Sequence, residues 1–339
     1  MSVGGERRTW IIAEAGVNHD GSLEKALALV DAAAEAGADA VKFQTFTSAA
    51  LATSEAPKAG YQRETTGEAG TQAEMLARLE LDRAAHVALI ERCRERGVEF
   101  LSSPFDLASV EMLAGLGLRA VKVPSGEITN LPYLRAIGGG GWRVLLSTGM
   151  ATMVEVAAAL AALEAAGARR DGVIVLQCTT AYPAPVEEAN LLAMVSMRDE
   201  LGVAVGYSDH TLGVEASLAA VALGAAVVEK HFTLDRTAAG PDHRASLEPA
   251  DFARLVAGVR VVESALGDGV KAPSAAEKDN LRVARKSIVA ARPIAVGEVY
   301  SEENLTVKRP AGGIDPMRWD DVVGRCAPRA FAADEAVEL

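Results

Sequence analysis

Between Trp10 and Leu266 the chain alternates short apolar runs with longer alanine-rich helical stretches, eight times over. That alternation constrains the fold more than any other feature, because strand–helix units in series build a parallel sheet. The runs predict strands at about 10–15, 39–45, 99–104, 119–124, 143–148, 173–179, 203–208 and 226–232. Helices are predicted between them, for example over 22–37, with Leu23, Ala26, Leu27, Val30 and Ala33 on one face. Gly37, Gly97, Gly117 and Gly202 stand where a helix must stop before the next strand. Eight such units fit a (β/α)8 TIM barrel, which takes about 250 residues. A doubly wound open sheet is the alternative, yet no glycine-rich phosphate fingerprint follows the first strand.

The texture changes after the eighth unit. Residues 268–284 are polar and helix-breaking, and beyond them short strands are predicted near Ser287–Ala291 and at Val307-Lys-Arg-Pro. The expected organisation is a catalytic barrel over 1–267, a linker over 268–284 and a small β-rich domain over 285–339. Two connections are long, 46–72 after the second strand and 233–247 after the eighth. Both are expected to be binding loops or lids.

A net charge of −12 argues against nucleic acid or an anionic membrane surface as partner. With no leader-like segment and no apolar run long enough to span a bilayer, a cytoplasmic location is expected. Cys93, Cys178 and Cys326 lack metal-binding spacing and are expected to be reduced, buried thiols.

In barrels of this kind the catalytic groups sit at the C-terminal ends of the strands. Every predicted strand here ends in polar residues: Glu14, Lys42 and Gln44, Ser103, Lys122 with Ser125 and Glu127, Ser147, Thr180 and Tyr182, Ser208 and His210, Glu229 and His231. The period of two points Lys42 and Lys122 into the barrel. A buried ammonium must meet an anion. Glu14, Glu127 and Glu229 could be structural partners; a bound phosphate or carboxylate, favoured by the many serine hydroxyls, is the other possibility. Four of the five histidines lie outside helical stretches: His19, His210, His231 and His243, whereas His86 is in one. Strands 1, 7 and 8 are neighbours in a closed barrel, so His210 and His231 fall side by side near Glu14. Two imidazoles with a carboxylate or water suit a divalent metal with open positions.

Taken in order, these phrases resemble the sialic acid synthase family of nonulosonate synthases. The matching runs include Ile12-Ala-Glu-Ala-Gly-Val-Asn-His19, Val41-Lys-Phe-Gln-Thr-Phe46, Lys122-Val-Pro-Ser-Gly-Glu127, Tyr207-Ser-Asp-His-Thr211, Glu229-Lys-His-Phe-Thr233 and Gly240-Pro-Asp-His243. The resemblance implies a barrel followed by a small antifreeze-like (SAF) domain. It implies a transferase that condenses phosphoenolpyruvate with an open-chain N-acetylated hexosamine to give a nonulosonic acid and phosphate, with Mn2+ or Mg2+ as cofactor. The sugar would be N-acetylmannosamine or 2,4-diacetamido-2,4,6-trideoxymannose.

Carried over residue by residue, the resemblance makes His210 and His231 metal ligands and puts Glu14, Glu127 and Tyr182 near the reacting centre. Lys42, Lys122, Ser103, Ser125, Ser147, Ser208 and Thr180 would bind phosphoenolpyruvate, and Gln44 and Asp242 the sugar. Arg309 would reach the sugar from the tail of a domain-swapped homodimer. His19 would support Glu14, and His243 would be a loop residue beside Asp242. Thr180 stands where some members carry Asn, and Asp20 departs from the usual residue after His19. Two competing readings are a metal-dependent aldolase or isomerase on the same barrel, working without phosphoenolpyruvate, and a non-catalytic binding protein.

Overall fold

The computed structural model describes residues 8–67 and 69–339; the first seven residues of the expected barrel span, and Glu68 in the 46–72 connection, lie outside the described residues. Eight parallel strands form one sheet: β1 (Trp10–Gly16), β2 (Ala40–Thr45), β3 (Glu99–Pro104), β4 (Ala120–Val123), β5 (Arg143–Ser147), β6 (Val173–Cys178), β7 (Ala204–Asp209) and β8 (Val227–His231). β1 pairs with both β2 and β8, which joins the two ends of the series. β3 and β4 lie side by side without a hydrogen-bonded ladder, so the barrel is nearly closed.

The strands alternate inward and outward with period two. Outward residues such as Ile11, Val41, Phe43, Val144, Val175 and Val228 pack on the surrounding helices in the main core. Inward residues Ile12, Ala40, Leu101, Ala120, Leu145, Leu176 and Val227 form a separate apolar plug inside the barrel. Gly206 completes that layer. A side chain there would come within 2.5 Å of the Val227 carbonyl and 2.7 Å of Leu176, so only glycine leaves room for the plug.

The predicted helix over 22–37 runs from Leu23 to Glu35, capped by the Ser22 hydroxyl, which accepts from the Lys25 amide. Its buried face is Ala26, Leu29, Val30 and Ala33. Leu23 is instead 37% exposed, because it opens the first turn beyond the strands' cover. Gly97 and Gly202 end their helices in the left-handed region, φ 72° and 64°, where glycine alone is unstrained.

The 46–72 connection is not an open loop. It folds into short helices at Ser48–Leu51 and Gly60–Thr66 and enters a third at Gln72–Ala77. Thr71 and Glu74 exchange capping hydrogen bonds at the third. The segment brings its own small core, in which Met75, Leu76 and Leu79 pack with Val17 and Phe46. This local burial gives the helices a reason to form that period-counting over a polar stretch does not show.

Contacts divide the chain into two compact units that meet at Asp268 and Gly269. In the second, β9 (Ser287–Ala290) pairs antiparallel with β10 (Leu305–Lys308), over a core of Ile288, Ile294, Tyr300, Val322 and Phe331. The stretch expected to be a linker contains a helix, Lys278–Ala284. All three cysteines are free, and Cys93 and Cys178 are buried as expected. Cys326 is exposed, in a single bridge with Val299 on the surface of the second unit.

Candidate active site

Two residues beyond each plug residue, and so on the same inward face, every strand carries a further side chain. From β1 to β8 these are Glu14, Lys42, Ser103, Lys122, Ser147, Cys178, Ser208 and Glu229. They floor a cavity of about 290 Å³ at the C-terminal end of the barrel. Gln44, Ser125, Thr180, Tyr182, His210, His231 and Asp242 line its walls. The expected residues from the barrel are therefore gathered in one place, with the exception of Glu127.

The floor is ionic. Lys42 Nζ lies 2.7 Å from Glu14 Oε2 and 3.8 Å from Glu229 Oε2, while Lys122 Nζ donates to Glu229 Oε1 at 2.7 Å. The Ser208 hydroxyl donates to the same Glu229 oxygen at 2.8 Å, and Lys42 also donates to Ser103 Oγ at 3.2 Å. All four charged side chains are at most 4% exposed. Burial raises the Glu14 carboxyl to about 7, against the pull of Lys42. Burial pushes Glu229 the same way, but Lys122 and Lys42 together outweigh it and hold its carboxyl well below the usual range. Lys122 is lowered by burial, whereas Glu14 and Glu229 more than offset burial at Lys42. Two buried ammonium groups at the floor of an open cavity suit an anionic ligand.

Hydroxyls line the cavity above the two ammonium groups. Ser147 Oγ is buried with no hydrogen-bond partner. Gly149 N donates to Ser125 Oγ at 2.9 Å, and a Cβ at Gly149 would come within 2.1 Å of Thr180 Oγ1 and 2.9 Å of Ser125 Oγ. The backbone thus runs close under these hydroxyls, as in other anion cradles. Sequence reasoning passed over Gly149, since nothing distinguishes a close-approach glycine from a turn glycine in a single chain.

The histidines line the same cavity. The rings of His210 and His231 lie 5.3 Å apart, and Tyr182 stands 4.3 Å from His210 and 5.6 Å from His231. Burial lowers His210 to about 4 and His231 well below its usual value, so both are neutral at pH 7. His210 Nδ1 meets the Thr179 carbonyl at 2.6 Å. A carbonyl only accepts, so Nδ1 carries the proton and Nε2 keeps its lone pair. His231 Nδ1 is buried without a hydrogen-bond partner, 4.0 Å from Asp242 Oδ2. No group of three or more imidazole, thiol or carboxylate ligands is preassembled among the described residues. Two neutral imidazoles, one with an unpartnered ring nitrogen, fit a cation that takes its other ligands from water or substrate.

The register that delivers the histidines is held from outside the barrel. Lys230, between Glu229 and His231, points outward and pairs with Asp209 at 2.9 Å, both fully buried. Asp209 accepts from Ser217 Oγ and from the Thr211 amide and hydroxyl, and Lys230 donates to the Thr211 carbonyl. This network fixes the backbone on either side of His210.

Some expected residues lie elsewhere. Glu127 is half-buried off the cavity lining, its carboxylate accepting from Asn130 Nδ2 at 2.6 Å, because a short 3-10 turn over Ser125–Glu127 carries it past the rim. Arg309 is exposed in the second unit. His19 stands clear of the cavity, its ring 6.2 Å from that of Phe43 and its Nδ1 accepting from the Gly21 amide. His243 ties its loop to the first one, contacting Thr233 Oγ1 at 2.7 Å and Asp20 Oδ1 at 3.1 Å.

The chain is similar to known proteins. The chain matches the NeuB family over residues 29–271 and the SAF domain over residues 285–338. It is 50% identical over 331 residues to the N,N'-diacetyllegionaminic acid synthase of Campylobacter jejuni, covering 98% of this chain and 99% of that one. It is 43% identical over 323 residues to the enzyme of the same name from Legionella pneumophila, covering 95% and 91%. Among solved structures it superposes on the N-acetylneuraminic acid (sialic acid) synthetase of Leptospira borgpetersenii, in complex with citrate. The TM-score is 0.72 at 34% identity, over 82% of this chain and 92% of that one. Matched across most of the barrel and half identical to a relative from end to end, the chain belongs to the NeuB family.

Proposed function

We propose that this protein condenses phosphoenolpyruvate with the open-chain form of an N-acetylated hexosamine, giving a nonulosonic acid and inorganic phosphate. The observation that carries the reading is the floor of two buried lysines and two carboxylates, with the unpartnered Ser147 hydroxyl and two neutral imidazoles in the same cavity. The names of the relatives point to the same product class.

Lys42 and Lys122 hold the phosphate and carboxylate of phosphoenolpyruvate, with hydroxyls from Ser103, Ser125, Ser147, Thr180 and Ser208. His210 and His231 hold a divalent cation, Mn2+ or Mg2+, which when bound polarises the sugar's aldehyde oxygen. Gln44 and Asp242 orient the sugar so that its C1 faces C3 of phosphoenolpyruvate. The new C–C bond leaves an alkoxide on the sugar and an oxocarbenium at C2. Glu14, with a carboxyl near 7, supplies a proton to the first and takes one from the water that adds to the second. The resulting adduct expels phosphate with cleavage of the C2–O bond. Tyr182 remains a neutral phenol, since burial raises it far above its usual value, and donates to a substrate oxygen at the reacting centre. The reaction is proposed to run in the cytoplasm, in a homodimer whose Arg309 serves the partner's sugar. Glu127 is assigned a supporting part only.

The test is direct. With Mn2+, phosphoenolpyruvate and N-acetylmannosamine or its 2,4-diacetamido-6-deoxy analogue, phosphate is released. Absence of release with either sugar sinks the proposal.

A further inference from the structure

The second long connection, residues 233–247 after β8, is not an open lid. Its two ends are tied together, with the Thr233 amide donating to the Leu247 carbonyl at 3.0 Å and the Leu247 amide to the His231 carbonyl at 2.8 Å. Within it, His243 is 2% exposed, although no step of the proposed condensation uses it. Its Nε2 donates to Asp20 Oδ1 at 3.1 Å and its Nδ1 meets the Thr233 hydroxyl at 2.7 Å. One ring thus joins the loop after β1 to the loop after β8. Gly240 leaves the room for it: a Cβ there would come within 2.6 Å of His243 Cδ2 and 3.1 Å of Asp20 Oδ1. A second tie lies on the other side of Asp242. The Ser246 hydroxyl donates to the Asp242 carbonyl at 2.7 Å and accepts from Asn18 Nδ2 at 2.9 Å, and Asn18 Nδ2 also donates to the Phe232 carbonyl at 2.9 Å.

We propose that these two ties form a clasp between the first and last loops of the barrel, and that Asn18, Asp20, His243 and Ser246 are positioning residues for Asp242. The Asp242 side chain needs such a hold. It is 6% exposed, and among the described residues no hydrogen bond holds its carboxylate, which lies 4.0 Å from His231 Nδ1. Its place is therefore set by its backbone, and the clasp grips that backbone on both sides. The carboxylate is aimed at the reacting groups. A Cβ on Gly16 would lie 3.2 Å from Glu14 Oε1, 3.4 Å from Gln44 Nε2 and 3.5 Å from Asp242 Oδ2, so the three side chains converge on one point. The acceptor oxygens of Asp242 are left for the hydroxyls of a bound sugar. This rests on the condensation proposed above, in which Asp242 orients the sugar, and adds to it the residues that hold Asp242 in place.

The experiment uses the full chain and two variants. His243→Ala removes the ring, and Gly240→Ala drives a methyl group against it from the other side, at a position whose φ is not in the left-handed region. The second variant keeps the test open if the first does not fold. Hydrogen exchange of the amides of residues 240–246, measured without metal or substrate, is expected to quicken at least about tenfold in both, with the strand amides unchanged. In steady state, the KM for whichever of the two sugars named above releases phosphate faster is expected to rise about tenfold or more. The KM for phosphoenolpyruvate is expected to stay within about twofold, because the lysine floor lies outside the clasp. A merely structural role would move both KM values together. Unaltered exchange in both variants overturns the clasp. Faster exchange with equal shifts in the two KM values, or with none, overturns the positioning of Asp242. If the wild-type protein releases no phosphate with either sugar, the condensation falls and the role of Asp242 with it, while the exchange measurement still decides the clasp.

Discussion

Glu14 and Lys42 are register partners across the β1–β2 ladder, and their side chains meet at 2.7 Å inside the barrel. Glu14 is also the register partner of His231 on its other side. One carboxylate therefore touches a strand that supplies a lysine of the floor and neighbours the strand that supplies one of the two imidazoles. In the condensation proposed above, that shared position lets one group serve both substrates.

The pH profile should carry the mark of this residue. Because Glu14 is raised from 4.5 to about 7, its contribution to stability is full below 4.5 and is lost as pH rises through about 7. Glu229, held low, contributes in the opposite sense, with stability present above 4.5 and lost on acidification. Glu14→Gln should flatten the decline in unfolding free energy between pH 5 and 8, and lower kcat/KM by about 10²–10⁴. An unchanged slope and an unchanged rate profile would remove Glu14 from the mechanism.

Glu229 reaches both lysines and Ser208 of the floor. Glu229→Gln leaves Lys122 without its carboxylate, and breaking a buried pair in this way costs about 3–5 kcal/mol. Urea unfolding should show the loss in the midpoint, and addition of phosphoenolpyruvate should recover part of it. A loss under about 1 kcal/mol would mean that the lysines are solvated in the free protein.

At Gly149 the prediction is steric. The backbone there is compatible with alanine, but the added methyl collides with Thr180 Oγ1 and Ser125 Oγ. Gly149→Ala should cost about 1–3 kcal/mol of stability and lower kcat/KM for phosphoenolpyruvate by about 10²-fold. Steady-state kinetics decide it, and unaltered kinetics would show that the cradle is not used.

For the histidines, metal titration is the sharper readout. His210→Ala and His231→Ala should each weaken Mn2+ binding at least about 100-fold. A chelator should stop phosphate release, and Mn2+ should restore it. Binding that survives both substitutions would place the cation elsewhere.

Much of this was legible in the chain. The strand positions followed from apolar runs, and the inward lysines from the period of two, because a parallel barrel repeats the same local rule at every strand. What stayed hidden depends on contacts between distant segments. Glu229 was visible two residues past Val227, but nothing in the sequence made it the partner of Lys122 rather than a spare carboxylate. The 46–72 connection looked like a loop because the small core it packs on, Met75, Leu76 and Leu79 with Phe46, is completed by Val17, far away in sequence. Glu127 was misplaced by a single 3-10 turn, a change of direction too short to leave a periodic trace.

The apolar plug of Ile12, Leu101, Leu145, Leu176 and Val227 has a consequence for traffic through the enzyme. With the plug filled beneath them, the lysines lie at the inner end of the cavity. In the condensation proposed above, the anion they hold lies deeper than the sugar, so phosphoenolpyruvate is expected to arrive first and phosphate to leave last.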